Sequence, residues 1–175
     1  MDEQALKAQQ TTMWDPSFES AACGMGYVAQ IDGRASHTLI EYALTMLTRM
    51  NHRGGTGAEP DTGDGAGILL GLPDRFFQSV ASESGVNLPP KGDYAVAQLF
   101  LPREVVAKQT LQASLVSAIE KRGYQVLLER DVPYRFENCG PTAQEIMPSF
   151  VQLFIKKPEG TEAGRPFEDK LFRLR

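Results

Sequence analysis

The sequence CGMGYVAQI, residues 23–31, is the first β-rich stretch of the chain. Its apolar residues Tyr27, Ala29 and Ile31 recur with a period of two, which predicts a strand with these three side chains on one face. The two glycines near its start leave the sulfur of Cys23 open to an approaching substrate. The stretch therefore predicts a strand that carries a candidate nucleophile at its first residue.

Cys23 has two interpretations. It is either a buried core cysteine, since free cysteine is among the most buried residue types, or a nucleophile. The second interpretation requires removal of the polar residues 1–22, which lack the apolar run of a secretory signal. Removal would place an α-amino group with a pKa of about 7.7–8.0 beside a thiol with a pKa of about 8.5. Nucleophile and general base would then belong to one residue.

The rest of the chain alternates helices and strands. Apolar residues at three- and four-residue spacings after the potential cap Ser36 predict a helix with one buried face. The run 94–101 is apolar on both alternating faces, which predicts a strand of an interior sheet that is covered on both sides. The predicted elements are helices over 36–50, 73–84 and 102–123, strands over 68–72, 94–101, 124–129 and 150–155, and a helical turn over 141–147.

Composition excludes several classes of protein. The 175 residues include 18 Lys and Arg against 22 Asp and Glu, a net charge of −4 that gives no reason to expect a nucleic-acid or membrane partner. The longest apolar runs, such as 66–72, are too short to span a bilayer. Two cysteines, Cys23 and Cys139, without a CxxC pair argue against a disulfide scaffold and a zinc site. We expect a cytoplasmic protein without a metal in this chain.

The glycine-rich stretch HRGGTGAEPDTGDGAG, residues 52–67, has no apolar pattern and predicts a loop. It follows a helix and lacks GK[ST], which argues against a dinucleotide or phosphate loop. Its glycines permit backbone N–H groups to approach a small anionic or amide-bearing ligand, with charges from Arg53 and Asp64 nearby. Alternatively, the glycines only turn corners and Arg53 pairs with Asp61 or Asp64. The sequence leaves both interpretations open.

The remaining candidates for chemistry are weak. His37 lies at the start of the first predicted helix and is most simply solvated, and His52 is expected to support the glycine-rich loop. Papain-like chemistry requires a cysteine that opens a helix and a histidine far downstream, and neither is present. Cys139 has no nearby base in the sequence, so we interpret it as structural or incidental.

The stretches CGMGYVAQI and HRGGTGAEPDTGDGAGILLGLP, with the helix between them, closely resemble the start of the glutaminase domain of glutamate synthase large subunits, which are class II glutamine amidotransferases. The later segments DVPYRFENCGPTAQEIMPSFVQLFIKKP and FEDKLFRLR resemble the same family. The resemblance covers residues 23–175, so residues 1–22 are expected to be a propeptide. It implies an α+β fold, an N-terminal nucleophile (Ntn) hydrolase-like αββα sandwich that is incomplete in this chain.

The resemblance also implies an activity. Cys23, freed by cleavage after Ala22, would attack the side-chain amide of L-glutamine, form a thioester and release ammonia, and water would then release glutamate. Arg53 would brace the site, and Asp64 and Gly65 would shape its wall. In the full enzyme, ammonia would aminate 2-oxoglutarate in a region with FMN and an iron–sulfur cluster. The implied partners are the rest of the large subunit and a small reductase subunit.

The family's segment that anchors the glutamine α-carboxylate and its Asn-Gly oxyanion hole correspond to positions beyond Arg175. Since one oxyanion-hole donor contributes about 2.7–4 kcal/mol to catalysis, we expect the isolated chain to be inactive or nearly so, with open sheet edges that favour self-association. Two alternatives remain. One is a glutamine-sensing or regulatory module without catalysis, and the other is a ferredoxin-like module over residues 94–155 attached to a separate adaptor.

Overall fold

The computed structural model describes residues 24–57 and 59–174, and the chain divides into two compact units, Met1–Leu69 and Leu70–Arg175. In the first unit, helix α1 spans His37–Arg49 and a 3₁₀ turn spans Asn51–Arg53. The second unit contains helices α2 (Asp74–Glu83), α3 (Val105–Glu120), α4 (Pro141–Ile146) and α5 (Arg165–Leu174), strands β1 (Tyr94–Leu101), β2 (Gln125–Asp131) and β3 (Ser149–Lys156), and a 3₁₀ turn (Phe136–Asn138).

Helix α1 lies where the sequence predicts it, but it is less buried than expected. Ser36 occupies the cap position in an extended conformation without a side-chain hydrogen bond to the helix. The predicted apolar stripe is only half-buried, and Leu44 remains 48% exposed. The prediction of a buried face is therefore wrong for the described structure, because the loops around α1 in this unit cover its apolar side incompletely.

Two predicted strands are absent from the described residues. Neither 24–31 nor 68–72 forms a strand, and the side chains of Ile31 and Leu69 are fully exposed. A strand exists only when a neighbouring strand accepts and donates its backbone hydrogen bonds. A pattern of apolar residues shows that a segment is able to pair with a neighbouring strand, but it does not provide that strand. Both strand predictions are therefore wrong for the described residues. Cys23, the first residue of the first predicted strand, lies outside the described residues.

The sheet consists of three antiparallel strands in the order β1-β3-β2. Tyr94 pairs with Lys156 and Leu101 with Ser149 in unbroken register, whereas the pairing of β2 shifts between Val126 and Leu128. Because β1 and β2 both run antiparallel to β3, they are parallel to each other and α3 connects them as a split β-α-β unit. β3 is the central strand, and β1, which the sequence predicts to belong to a sheet covered on both faces, lies at one edge.

Each face of the sheet carries its own core. One face packs against α2 around Phe154, and the other packs against α3 around Leu153, because successive side chains of β3 point to opposite faces. The buried residues of the first core are Phe77, Ala81, Leu88, Tyr94 and Phe154. Those of the second are Leu101, Ile119, Val151, Leu153 and Ile155. Strand β3 therefore anchors both layers.

A buried tyrosine joins α2 to the sheet. The hydroxyl of Tyr94, a residue only 3% exposed, donates a 2.9 Å hydrogen bond to Asp74 Oδ1 in the first turn of α2. Burial raises the pKa of Tyr94, and the hydrogen bond to Asp74 and its negative charge raise this pKa further. The phenol therefore remains the hydrogen-bond donor that fixes the start of α2 against the start of β1.

Helix α3 begins with an unusual cap. The two carboxylate oxygens of Glu104 accept hydrogen bonds from the backbone N–H groups of Val106 and Ala107, at 2.9 and 2.6 Å. These bonds satisfy two amides that a helix N-terminus otherwise leaves unpaired, and they lower the pKa of Glu104. The sequence predicts the opening at Pro102, two residues earlier, because glutamate is not among the preferred caps. Gly123, with a φ of 82°, terminates the α3 segment as predicted.

The cap makes stability depend on pH. The pKa of Glu104 is lower in the folded chain than its ordinary value of 4.5. The ionised carboxylate therefore stabilises the fold above about pH 4.5, and this stabilisation is lost as pH falls through the lowered pKa. We expect Glu104→Gln to lower the urea midpoint at pH 7 and to have a progressively smaller effect as pH falls through the lowered pKa. An effect that does not change with pH would contradict the cap.

The described residues have an α+β composition with one small antiparallel sheet, and they do not confirm the second sheet of the predicted αββα sandwich. Large apolar side chains remain on the surface, among them Phe100 at 67% exposure. Self-association through such surfaces stays a prediction. None of the described helices is long and apolar enough to cross a membrane.

Candidate functional site

The end of α1 places Arg53 at the start of the glycine-rich loop. After the helix ends, the backbone N–H of Arg53 donates to Met50 O at 2.8 Å, and that of Gly54 donates to Asn51 O at 3.1 Å. His52 Nδ1 lies 3.0 Å from Arg49 O and donates to it as the Nδ1–H tautomer. This bond is consistent with the predicted supporting role of His52 and keeps the turn that presents Arg53 compact.

The loop that follows is closed by Asp64. The N–H of Gly55 donates to Asp64 Oδ2 and the N–H of Asp64 donates to Gly55 O, both at 2.9 Å. An isolated antiparallel bridge joins Thr56 to Gly63 one step further along the loop. The predicted loop is confirmed. The two chain segments that meet at Gly55 and Asp64 form its neck, and Asp64 holds them together through both its side chain and its backbone.

Gly63 is required by this closure. A β-carbon at Gly63 would lie 2.5 Å from the carbonyl oxygen of Gly55, a backbone atom that cannot move without opening the bridge. A β-carbon at Gly57, on the opposite side of the same neck, would lie at an ordinary 3.5 Å from Thr62 O. The neck therefore tolerates a side chain at Gly57 but not at Gly63.

We expect Gly63→Ala to destabilise the loop by about 1–3 kcal/mol, the usual cost of overpacking. Gly57→Ala is the matched control and should leave the loop closed. The measurement is limited proteolysis within residues 55–64, which should become about tenfold faster or more for Gly63→Ala, since about 1.4 kcal/mol changes an equilibrium tenfold. Equal cleavage rates for the two variants would contradict the closure.

A cavity of about 490 Å³ lies beside this loop, within the first unit. It brings Arg53, Asp64 and Gly65 together, the three residues that the sequence singles out as site support. Gly24, the residue directly after Cys23, also lines it. Its remaining lining residues, which the sequence analysis did not predict, are Leu47, Met50, Asn51, Gly54, Ala66 and Gly67.

Gly24 contacts the residues that bear the site. A β-carbon added at Gly24 would lie 3.2 Å from Cβ and 3.3 Å from Cγ of Arg53, and 3.4 Å from Sδ of Met50. The backbone at Gly24 is therefore packed against the stem of Arg53. Cys23 and the predicted cleavage residue Ala22 lie outside the described residues.

The other residues considered from the sequence lie elsewhere. His37 is exposed at the start of α1, with Nε2 4.0 Å from Glu41 Oε1. Cys139 belongs to the second unit, where its carbonyl accepts a hydrogen bond from Gln144 Nε2 at 2.7 Å. Neither lines the cavity. Among the described residues, no three His, Cys, Asp or Glu side chains form a group that could hold a metal ion.

Comparison with known proteins assigns the family. The sequence profile of class II glutamine amidotransferases matches residues 23–175. The chain therefore belongs to the class II glutamine amidotransferases, and the expected family is confirmed. The first matched residue is Cys23.

Within this class, the chain is similar to glutamate synthases. The glutamate synthase [NADPH] large chain of Bacillus subtilis (strain 168) is 36% identical over 163 residues, which are 93% of this chain and 11% of that protein. Ferredoxin-dependent glutamate synthase 1 of Arabidopsis thaliana is 37% identical over 152 residues, 87% of this chain and 9% of that protein. The chain thus spans about a tenth of the length of these relatives.

Proposed function

We propose that residues 23–175 provide the nucleophile and part of the wall of a glutamine-hydrolysing site in a glutamate synthase. The observation that carries the proposal is the cavity in which Gly24 lies together with Arg53 and Asp64. Cys23 directly precedes Gly24 in the sequence, and the proposal therefore assigns the nucleophile to this cavity. Membership of the class II glutamine amidotransferases supports a glutamine substrate.

The proposed reaction begins with cleavage of the Ala22–Cys23 bond. The new α-amino group accepts the proton of the Cys23 thiol, and the sulfur attacks the side-chain carbonyl carbon of glutamine. The proton passes to the leaving nitrogen as the C–N bond breaks, which gives ammonia and a γ-glutamyl thioester. Water then attacks the thioester, and glutamate and the thiol are released.

Arg53 and Asp64 have distinct proposed roles in this reaction. Arg53 lines the cavity with a stem held against Gly24, and its positive charge would stabilise a negatively charged substrate group or the thiolate. Asp64 acts mainly on the loop, because its carboxylate accepts the Gly55 N–H. The position of Gly65 next to Asp64 leaves the cavity wall free of a side chain there.

The fate of the ammonia extends this proposal to the whole enzyme. In a glutamate synthase it would aminate 2-oxoglutarate with the help of FMN and an iron–sulfur cluster, together with a reductase subunit where one exists. The described residues contain no cluster of metal-ligating side chains, so we assign no iron–sulfur ligand to them. We further propose that the protein is cytoplasmic and that the isolated 175-residue chain has little or no activity.

The test is made on the protein as it is naturally produced. N-terminal sequencing and intact-mass analysis should show a mature chain that begins at Cys23. Treatment with a diazoketone analogue of glutamine should add one label to that cysteine, and excess L-glutamine should slow the labelling. A chain that begins at Met1 and takes no label would overturn the catalytic proposal, and unlabelled protein that still binds glutamine would favour the sensing module.

A further inference from the structure

Met46 of α1 and Met50, the residue directly after α1, lie against the segment that follows Cys23. A β-carbon added at Gly26 would lie 2.5 Å from Sδ and 3.0 Å from Cε of Met46. The corresponding position at Gly24 lies 3.4 Å from Sδ of Met50. A side chain at Gly26 would force the flexible end of Met46 to move, so the glycine allows the backbone to lie directly against this side chain. Both contacts lie within the first unit.

The spacing of these contacts defines the direction of the segment. Met46 and Met50 are four residues apart, which places them about 6 Å apart along one face of a helix. Two residues of extended chain cover about 6.6–6.8 Å, so Gly24 and Gly26 match this distance. Gly24 lies against Met50 and Gly26 lies against Met46. The segment therefore runs antiparallel to α1.

We infer that Met46 and Met50 are positioning residues for the nucleophile. Together with Cβ and Cγ of Arg53 they form a surface, here called the methionine shelf, on which the backbone at Gly24 and Gly26 rests. The shelf orients the backbone at Gly26 and Gly24, the described residues that lead back along the sequence to Cys23. This inference rests on the proposed glutamine hydrolysis by Cys23.

Substitution of Met46 tests the positioning of the nucleophile separately from substrate binding. Met50 lines the cavity, but Met46 does not. A change at Met46 therefore acts on the substrate only through the segment that it supports. A displacement of about 1 Å in a reacting group can lower a rate by roughly 100-fold, so loss of this support should lower kcat while KM remains nearly constant.

The experiment compares Met46→Ala with Met46→Leu in the naturally produced protein. Met46→Ala removes the contact and should reduce kcat for glutamine hydrolysis by about 10- to 100-fold, with KM changed by no more than about twofold. Met46→Leu conserves most of the volume and should stay within about threefold of the wild type. Leu44→Ala, at a site 48% exposed on the same helix, controls for changes in helix stability.

A second variant keeps the inference testable if Met46→Ala does not fold. In Gly24→Ala the new methyl group would lie 3.2 Å from Cβ and 3.3 Å from Cγ of Arg53, so the backbone at Gly24 or the Arg53 stem must shift by a few tenths of an ångström. Labelling of Cys23 by the glutamine analogue should then slow by about tenfold or more, with the urea midpoint unchanged.

The outcomes separate the two proposals. An unchanged kcat in Met46→Ala, an equal loss in Met46→Leu, or a rise in KM without a fall in kcat would overturn the methionine shelf and leave the hydrolysis by Cys23 intact. Failure of the wild-type protein to hydrolyse glutamine or to take the label would instead overturn the proposed function.

Discussion

Replacement of Cys23 by alanine should abolish glutamine hydrolysis in the naturally produced protein. The proposed reaction passes through a bond between the Cys23 sulfur and the glutamine carbonyl carbon, and an alanine side chain cannot form it. Removal of a covalent nucleophile typically costs roughly 10⁴-fold or more in kcat. The measurement is the release of glutamate and ammonia from glutamine.

Cys139 provides the matched control for this experiment. It is the second cysteine of the sequence, it lies in the second unit, and it does not line the cavity. Cys139→Ala should retain hydrolysis and labelling at close to the wild-type rate. Equal losses in Cys23→Ala and Cys139→Ala, or activity that survives in Cys23→Ala, would contradict the assignment of the nucleophile.

Truncation of Phe154 should give the largest loss of stability. Its side chain is fully buried in the central strand, and its ring lies 5.2 Å from that of Phe77, edge to face, and 6.4 Å from that of Tyr94. Phe154→Ala removes these contacts and leaves a cavity, which typically costs about 3–5 kcal/mol. That loss is a large share of the roughly 5–15 kcal/mol that stabilise a folded domain.

The measurement is the free energy of unfolding in urea. Phe172→Ala makes the same chemical change at a residue 71% exposed, and it should cost no more than about 1 kcal/mol. If Phe154→Ala does not fold, Phe154→Leu should give a measurable intermediate loss. Similar effects at Phe154 and Phe172 would show that the aromatic cluster does not hold α2 on the sheet.

Local patterns in the sequence predict most of the elements of the second unit. The apolar run 94–101 coincides with β1, and the predicted strands 124–129 and 150–155 differ from β2 and β3 by only one or two residues at each end. The order of these strands does not follow from the same patterns. β1 and β3 are both apolar on two faces, and only long-range packing decides that β3 occupies the centre.

The first unit shows the limits of the same reasoning. The alternation in 23–31 and the apolar run 68–72 predict strands, but the described residues provide no partner for either. The candidate site residues Arg53, Asp64 and Gly65 belong to a short glycine-rich loop and line one cavity, and their role in a site stays a prediction. Leu47 and Met50 were missed because their helical spacing indicates a core role rather than a site.

Burial is distributed unequally along the chain, and this has a consequence for dynamics. No described residue before Leu70 is buried, whereas β3 contains four buried residues between two layers. In deuterated water, the amides of Leu153 and Ile155 should exchange only when the whole second unit unfolds, and those of Gly55 and Asp64 should exchange through local opening of the loop. The backbone that frames the chemistry would then sample open conformations many times during the lifetime of a folded sheet.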